Sequence, residues 1–418
     1  MKNMLSLLGL MLFSLSLSAQ FSLEADIRPR TEFRDGYRRM PQDDEKPAVL
    51  TSQRTRLIMD YKTERLETKV SFHDLRIWGQ QELRANQPSF DLHEAWVQLA
   101  VSNNLFVKAG RQELRYDNQR FFAINDWIPG GQKHDALVWR LMASKGELHL
   151  GTAFNQSIDR TFGTPFGLNN YKFMQYAWYQ TRLSESMMVS LLGVADGWER
   201  PDNASDFYMR YTWSVFPRLK LGERAQLRLN PAYQHGETRQ GVFISAWYFM
   251  AEAETGLGNS SRLVLGAELF SGNDHTDTQD QTYRAFDPLY GAGHTVHGYM
   301  DYFTAIPAHT LGAGFINPYL KTTHQLSPRT RFDADLHLFF LQHDLPVNQG
   351  SPDERLLDKY LGTEIDLTLA WSIMPQAQMM FGYSVMFGSE TMEFVKGGKK
   401  DNWAHWAYVM LRVRPKFL

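Results

Sequence analysis

The sequence of 418 residues contains no cysteine, so neither disulfides nor thiolate chemistry can contribute to its structure. After the N-terminus it also lacks any apolar run near the roughly 20 residues that a membrane-spanning helix requires, which excludes a helical membrane protein. Its net charge of −2 offers no bulk attraction to nucleic acid, and no nucleic-acid partner is expected. Catalytic motifs such as G-x-S-x-G and H-E-x-x-H are missing as well. We therefore expect no catalytic residues, no metal ligands and no cofactor.

Residues 1–19 have the three parts of a secretory signal peptide: the positive Lys2, an apolar core over Leu5–Leu17, and the small residues Ser18 and Ala19 at the exit. Cleavage after these residues would leave residues 20–418 as a single domain. An exported chain of this size without cysteine must rely on its core or on a hydrogen-bond ladder for stability.

From residue 22 onward the hydrophobic pattern has a period of two. In Leu23–Arg34 every even-numbered residue is charged, whereas the odd-numbered residues are mostly apolar. Phe207–Val215 and Gly362–Ile373 repeat this split between an apolar, aromatic face and a polar face. Such alternation on strands of about ten residues is typical of a transmembrane barrel with a wet interior. The sequence therefore predicts an all-β fold, a transmembrane antiparallel up-and-down β-barrel.

The links between the predicted strands alternate strictly in length. Nine long polar links alternate with eight short turns, which gives about 18 strands and places both termini on one side. Outer-membrane barrels have short periplasmic turns and long external loops, whereas propellers and soluble sandwiches have no reason to alternate in this way. The long links include Arg111–Lys133 and Gly272–Pro307; the short turns include Ser102–Asn104 and the slightly longer Pro217–Glu223.

Arginine is the preferred cation on the inward parity, and the chain has 29 Arg against 15 Lys. Guanidinium binds carboxylates in a bidentate fork and stays charged. A lumen lined in this way would favour solutes that carry carboxylates. Alternatively, the inward arginines pair with inward carboxylates in a structural charge ladder. The inward candidates for the solute path are Arg28, Arg30, Arg54, Arg56, Arg210 and Arg331.

The stretch Leu105–Trp127 starts as an alternating strand and continues as a charged segment with an aromatic end. Because its strand rises from the short turn Ser102–Asn104, the charged segment must begin at the external end of the barrel. We expect it to fold inward as a constriction rather than outward as a lid. Its candidate path residues are Lys108, Arg111, Glu113, Arg115, Asp117 and Arg120.

The link Gly272–Pro307 carries several carboxylates, including Asp274, Asp277 and Asp280, at spacings that could hold Ca²⁺. However, it lacks a twelve-residue ligand loop that ends in a bidentate Glu. His294 and His297 have no evident third ligand for zinc. The pattern is more consistent with a folded external loop that could act as a lid over the mouth.

Two segments resemble the alginate-export family of outer-membrane proteins. The first is Val107–Leu114, with Tyr116, Asp117, Arg120 and Trp127 after it and His134-Asp135-Ala136 beyond. The second is Ser271–Asp274, followed by Phe286–Tyr290, His294, Gly298-Tyr299 and Asp301. The resemblance implies a monomeric, 18-stranded barrel that conducts an anionic polyuronate through an arginine-rich constriction. In it, Arg111, Arg115 and Arg120 are the matching positions.

Together these patterns predict a passive channel for anionic solutes, including anionic oligosaccharides, in the outer membrane of a Gram-negative-type bacterium. Its expected partners are the outer-membrane lipids, an anionic small solute or oligosaccharide, and the barrel-insertion machinery, and we expect it to be a monomer. A non-selective general porin is the alternative within transport. The alternatives from other classes are an outer-membrane enzyme and a surface adhesin. Ser71 and His73 on one inward parity offer half of a catalytic set for such an enzyme.

Overall fold

The computed structural model describes residues 20–418 apart from residues 83, 85–88, 165, 168–169, 201–205, 278 and 349–350. The predicted signal peptide, residues 1–19, lies outside the described residues. No helix in the described part of the chain is long and apolar enough to cross a membrane.

Antiparallel strands form one closed sheet. Its 19 segments make 18 strands, because two of them, Ala225–Leu229 and Ala232–Glu237, are halves of one strand interrupted at Asn230 and Pro231. In chain order the strands are β1 Gln20–Asp35, β2 Ala48–Lys62, β3 Leu66–Ile77, β4 Phe90–Ala100, β5 Leu105–Gln112, β6 His134–Met142, β7 Gly146–Phe154, β8 Phe173–Arg182, β9 Met187–Glu199, β10 Phe207–Leu221, β11 Ala225–Leu229 with Ala232–Glu237, β12 Phe243–Leu257, β13 Ser261–Phe270, β14 Phe315–Ser327, β15 Thr330–Phe340, β16 Tyr360–Met374, β17 Ala377–Gly388 and β18 Ala404–Val413.

The first and last strands close the barrel. Strand β1 pairs with β18, so that Ile27 lies opposite Val413 and Arg34 opposite Trp406. Closure pairs the backbone groups that an edge strand would leave unsatisfied in lipid. The predicted closed, up-and-down antiparallel barrel is therefore confirmed.

The strict alternation of link lengths is also confirmed. Eight turns of two to four residues lie at one end of the barrel, and nine longer links lie at the other. One short turn differs clearly from the prediction: β10 continues through Pro217, which lies opposite Val189, and ends at Leu221. Pro217 cannot donate to the hydrogen-bond ladder, and it lies beside the interruption of the neighbouring strand at Asn230 and Pro231, where the ladder is already broken. The turn is residues 222–224 rather than Pro217–Glu223.

The two parities of each strand face lipid and lumen as the pattern predicted. On β10, Trp213 faces outward and is 56% exposed, whereas Arg210 on the opposite face is buried. Trp139 on β6 and Trp371 on β16 are likewise exposed on the outer surface. Aromatic side chains there suit the interface between headgroups and acyl chains.

The interior is not uniformly wet, however. Along the arc from β8 to β15 the inward side chains are largely apolar, and aromatic residues from two long links pack on them in one buried core. This core includes Leu192 and Tyr248 from the wall and Phe121, Phe286 and Phe303 from the links. Burying these rings removes apolar surface from water, which stabilises the links inside the barrel. The inward arginines of β1, β2 and β18 lie outside this arc.

Three small elements lie in the long links. Helix α1 spans Ile306–His309 and begins with Pro307 in its first turn. Helix α2 spans Glu390–Lys396; the Ser389 side chain accepts a hydrogen bond from the Met392 amide at its N-terminus. A short hairpin pairs Leu345–Val347 with Arg355–Leu357.

Candidate functional site

Two long links fold into the lumen, and we call them loop A (residues 113–133) and loop B (residues 271–314). Loop A crosses the barrel interior: it contacts Tyr176 on β8, Glu268 on β13 and Arg54 on β2. The expectation that this segment folds inward is confirmed. Loop B, expected as an external lid, also lies inside the barrel, because its residues bond to inward side chains of β9, β10 and β16.

The tip of loop A is held by arginines of the wall. Arg28 donates to the carbonyl oxygens of Asp126 at 2.6 Å and Trp127 at 3.1 Å. Arg54 forms an ion pair with the Asp126 carboxylate at 2.7 Å, and Arg412 lies 3.2 Å from the same carboxylate. Burial alone would raise the pKa of Asp126, but these three guanidinium groups lower it below its ordinary value. The carboxylate therefore stays ionised and keeps the tip on the wall.

Trp127 joins the two loops at this tip. The guanidinium carbon of Arg30 lies 4.0 Å from the centre of its ring. His294 of loop B stacks on the same ring at 4.2 Å between centroids, with an interplanar angle of 6°. His294 in turn bonds to Asp301 at 2.7 Å, and Asp301 accepts a hydrogen bond from the Tyr37 hydroxyl. Loop B, loop A and the end of β1 thus form one connected cluster.

The other part of loop A is anchored on the opposite wall. Arg120 forms a buried ion pair with Glu268, which also lies 3.2 Å from the Nε2 atom of His297 in loop B. The Trp178 indole donates to the Asp117 carboxylate at 3.0 Å. Asp117 has a positive φ of 48°, and this left-handed turn is one that Asp tolerates better than most residues. Arg120 and Asp117 therefore act here as anchors of the loop.

Loop B is attached to its own part of the wall. Arg210 pairs with Asp287 at 2.6 Å and with Asp196 at 2.7 Å. The hydroxyl of Tyr290 also donates to Asp196 at 2.7 Å. Because Arg210 and Asp196 are buried, this arrangement is a satisfied network rather than a free cation facing the lumen.

One arc of the wall gathers the arginines. We call Arg28, Arg30, Arg54, Arg56 and Arg412 the arginine arc; they lie on β1, β2 and β18. The carboxylates in contact with them are Asp26, Glu32, Glu113 and Asp126. Two nitrogens of Arg54 form ion pairs, and its buried Nε atom has no partner among the described residues, whereas Arg56 approaches Glu113 only at 3.8 Å. Among the described residues, the buried Nε and Nη2 atoms of Arg56 have no hydrogen-bond partner.

The remaining predicted path residues are separated by the structure. Arg111 continues the outward parity of Leu105, Val107 and Ala109, and it forms a two-pronged pair with Asp135 at 2.9 and 3.0 Å on the outer surface. The sequence placed Arg111 among the residues of the solute path, whereas the structure places it on the outer surface. Lys108 faces inward, with its Nζ atom 3.9 Å from the centre of the Trp96 ring. Arg331 pairs with Asp333 at 2.8 Å near the short-turn end.

Two other expectations concern single residues of the loops. Arg115 is exposed and forms no ion pair or hydrogen bond with any residue that the structure describes. In loop B, Asp274 bonds to Thr276 and Asp280 pairs with Arg284. Within the described residues, one group of three side chains is close enough to share a metal ion, and it is not in this loop. The carboxylates of loop B therefore do not converge as a calcium site.

Sequence reasoning missed Asp126, Glu268 and Asp196, the carboxylates on which the arginines and loops are anchored. Glu268 and Asp196 occupy inward parities, which is the one signal that could have marked them. Arg120, the partner of Glu268, lies 148 residues away along the chain, and Tyr290, a partner of Asp196, lies 94 residues away. No local spacing in the sequence therefore pairs them.

Comparisons with known proteins agree with this architecture. The model of the alginate-export family matches residues 19–150. Among solved structures, the chain is similar to Pseudomonas aeruginosa OpdO (TM-score 0.62, 13% identity, 96% of this chain and 98% of that chain covered) and OpdL (TM-score 0.63, 12% identity, 96% and 99% covered). It is also similar to OccK9 (OpdG) of the same organism (TM-score 0.63, 13% identity, 95% and 99% covered). No curated protein matches the sequence.

At these identities the solved structures show a shared fold, and the family match adds the sequence relationship over β1 to β7. The chain therefore has the closed-barrel fold of these solved structures, and residues 19–150 resemble the alginate-export family.

Proposed function

We propose that the chain is an outer-membrane channel that passes anionic solutes, with acidic oligosaccharides of the polyuronate type as the preferred class. The observation that carries this proposal is the arginine arc, in which five guanidinium groups meet four carboxylates in one part of the wall. Guanidinium groups lower the cost of dehydrating a carboxylate by offering it paired donors. An excess of such groups on the lumen wall favours anions.

Within the arc, Arg56 is the position that we assign to the solute. Arg28, Arg30 and Arg54 donate to loop A and to nearby carboxylates, so most of their donors are already used, and only Nε of Arg54 is buried without a partner among the described atoms of these three side chains. Arg56 keeps two buried donor nitrogens without a partner. A buried donor without a partner is costly, and a carboxylate of a passing solute would satisfy both nitrogens at once.

A non-selective porin is the second candidate, and a specific observation favours it. Away from the arc, many inward cations are paired with inward carboxylates. Arg228 pairs with Glu252 and Glu254, and Lys321 pairs with Asp335. These pairs form the structural charge ladder that the sequence left as an alternative for the arginines. Such a wall contributes little net field, so any selectivity must come from the arc and from Arg115.

The test is ion selectivity in planar bilayers. A unit charge about 10 Å from a permeating ion in water is worth about 0.4 kcal/mol. Because the charge attracts Cl⁻ and repels K⁺ by this amount, Arg56→Gln should lower the Cl⁻/K⁺ permeability ratio about fourfold. The matched control is Arg331→Gln, which removes the same charge from an exposed position near the short turns. Recordings in KCl with a chelator should show anion preference in the wild type, block by oligouronate, and a larger loss in Arg56→Gln than in the control.

Equal Cl⁻ and K⁺ permeability in the wild type, without oligouronate block, would establish the non-selective porin instead. A barrel with no measurable conductance would contradict both transport proposals and direct attention to its external loops, as in an adhesin.

We further propose that the chain works as a monomer, is exported by its N-terminal signal peptide and reaches the membrane through the barrel-insertion machinery. One chain closes its own sheet through β1 and β18, so no strand edge requires a second subunit. Cross-linking in outer-membrane vesicles should give a single-chain band, and depletion of the insertion machinery should leave the chain unfolded.

A further inference from the structure

We propose that His93, Glu94 and Glu113 form a binding site for a divalent transition metal, with His73 as a neighbouring imidazole, on the lumen wall at the root of loop A. The proposal does not depend on which solute the channel carries. Of its side chains, Glu113 also contacts the arginine arc, 3.8 Å from Arg56.

A β-bulge creates the site. The pairing of β3 with β4 shifts between Ser71 and Phe72, so that Ser71 lies opposite Glu94 and Phe72 opposite Leu92. His93 is the extra residue, and both His93 and Glu94 are buried on the inward side. In a regular strand, consecutive side chains would point to opposite faces. Bulges commonly turn a side chain toward a functional site in this way.

The third side chain comes from loop A. Glu113 follows directly after β5, and its Oε1 atom lies 2.9 Å from the Nε2 atom of His93. One potential ligand atom from each of His93, Glu94 and Glu113 lies within 4.8 Å of the other two. A metal ion bound to donors at about 2.0–2.3 Å holds those donors roughly 3–4 Å apart. The three side chains therefore need only small rotations to share one ion.

His73 supplies an independent observation. Its side chain is completely buried, and neither ring nitrogen has a hydrogen-bond partner among the described residues. Its ring lies 5.0 Å from that of His93, whose Nδ1 atom also lacks a partner. Buried imidazole nitrogens are normally paired, so three unpaired nitrogens on two adjacent rings indicate a missing ligand. The nearest carboxylate, Asp91, is 3.6 Å away, which is too long for a hydrogen bond.

The donor set indicates the kind of metal. One or two imidazoles with two carboxylates suit Zn²⁺, Ni²⁺ or Cu²⁺, whereas Ca²⁺ and Mg²⁺ prefer oxygen donors alone. The nearby cations are Arg56, 3.8 Å from Glu113, and Lys69, 3.7 Å from Glu94. Both separations exceed those of a tight ion pair, so a metal ion can displace these contacts. Lys133 lies 3.7 Å from Asp91, which is not one of the three ligand side chains.

Binding would tie the root of loop A to strand β4. Without the metal, His93 and Glu113 share one hydrogen bond. With it, the first residue of the loop is joined to two adjacent residues of the wall. The loop would then be held at its root by a metal and at its tip by Arg28, Arg54 and Arg412.

The experiment is metal titration of the purified full-length mature chain in detergent. Calorimetry with Zn²⁺ and the visible spectrum with Co²⁺ should both give one ion per chain, and Mg²⁺ and Ca²⁺ should give no binding. His93→Ala and Glu113→Gln should each weaken Zn²⁺ binding at least about tenfold. Arg56→Gln should tighten it, because the variant removes a cation close to the ion. His324→Ala, an outward histidine on β14 that bonds to Ser261, is the matched control and should bind as the wild type does.

Every variant is first checked for the heat-modifiable gel migration of a folded barrel, and Glu94→Gln replaces any variant that does not fold. The proposal is overturned if the wild type binds no Zn²⁺, or if the folded His93, Glu94 and Glu113 variants bind it as tightly as the wild type. Because ion selectivity is recorded with a chelator, either result leaves the test of solute selectivity unaffected.

Discussion

The buried ion pair between Arg120 and Glu268 allows a quantitative test of how loop A is held in the lumen. Their side chains are 9% and 0% exposed, and His297 of loop B lies 3.2 Å from the same carboxylate. Glu268→Gln keeps the shape of the side chain but leaves the Arg120 charge buried without a counter-ion. Breaking one partner of a buried pair typically costs about 3–5 kcal/mol.

Since about 1.4 kcal/mol corresponds to a factor of ten in an equilibrium constant, this cost lowers the docking equilibrium of loop A by roughly 10²–10³-fold. The undocked loop exposes its peptide bonds, so cleavage by trypsin after Arg115 and Arg120 should accelerate by up to that factor. Single-channel recordings should show increased current noise in the same variant. Barrel closure through β1 and β18 should survive, because the pair contributes nothing to strand pairing.

The control is the double variant Arg120→Met with Glu268→Leu, which removes both charges and keeps apolar volume. Replacing a buried pair by apolar residues is often neutral, so this variant should return most of the way to the wild-type cleavage rate. If Glu268→Gln is cleaved no faster than the wild type, the pair does not hold the loop. If the double variant is as labile as the single one, lost packing rather than unpaired charge explains the effect.

Three further outcomes are expected. Gly110→Ala should prevent assembly of a heat-modifiable barrel, because Gly110 has a φ of +121° and an added Cβ would lie 2.2 Å from the Ala95 carbonyl oxygen. Arg115→Glu should shift the reversal potential toward cation selectivity without changing thermal stability. Arg111→Glu, which lies on the outer surface, is the control and should leave the reversal potential unchanged. Equal shifts in the two variants would contradict the faces assigned to these residues. Burial lowers the pKa of His294 below its ordinary value of 6.5, and Asp301 opposes this only in part. The folded state therefore favours the neutral His294 ring. The stability that the neutral ring gives to the docked loops is present above about pH 6.5 and is lost as the pH falls. Current noise should therefore rise on acidification in the wild type but not in His294→Gln.

The barrel itself could be predicted from the sequence because two independent regularities specify it. Alternation with a period of two assigns one face to lipid and one to the lumen, and in Leu23–Arg34 no residue breaks it. The alternation of short and long links then gives the strand number and the orientation. Both rest on local spacing, which tertiary structure did not override. The one boundary error, at Pro217, arose because proline was taken as a turn signal although its ring fits an outward strand position.

The filling of the lumen could not be predicted in the same way. An inward Leu192 or Tyr248 breaks the expected polar face, and the local pattern does not show what covers it. The cover is supplied by Phe121 and Phe286, which belong to links that the same pattern marks only as long and polar. The apolar rings of those links were visible in the sequence. Their burial depended on matching them to apolar inward positions on strands far along the chain.

The roles of individual arginines follow a similar division. Parity predicts correctly that Arg54 and Arg56 face inward, and it also places Arg111 outward if the alternation of Leu105, Val107 and Ala109 is extended by one step. Parity cannot tell an anchor from a binding residue, because that depends on the donors that a distant loop leaves free. Asp126, 72 residues from Arg54, takes the donors of Arg54 and leaves those of Arg56 unpaired. Under the proposed function, the fold of loop A therefore selects the solute-binding arginine, and changes in that loop should alter selectivity even where every wall residue is kept.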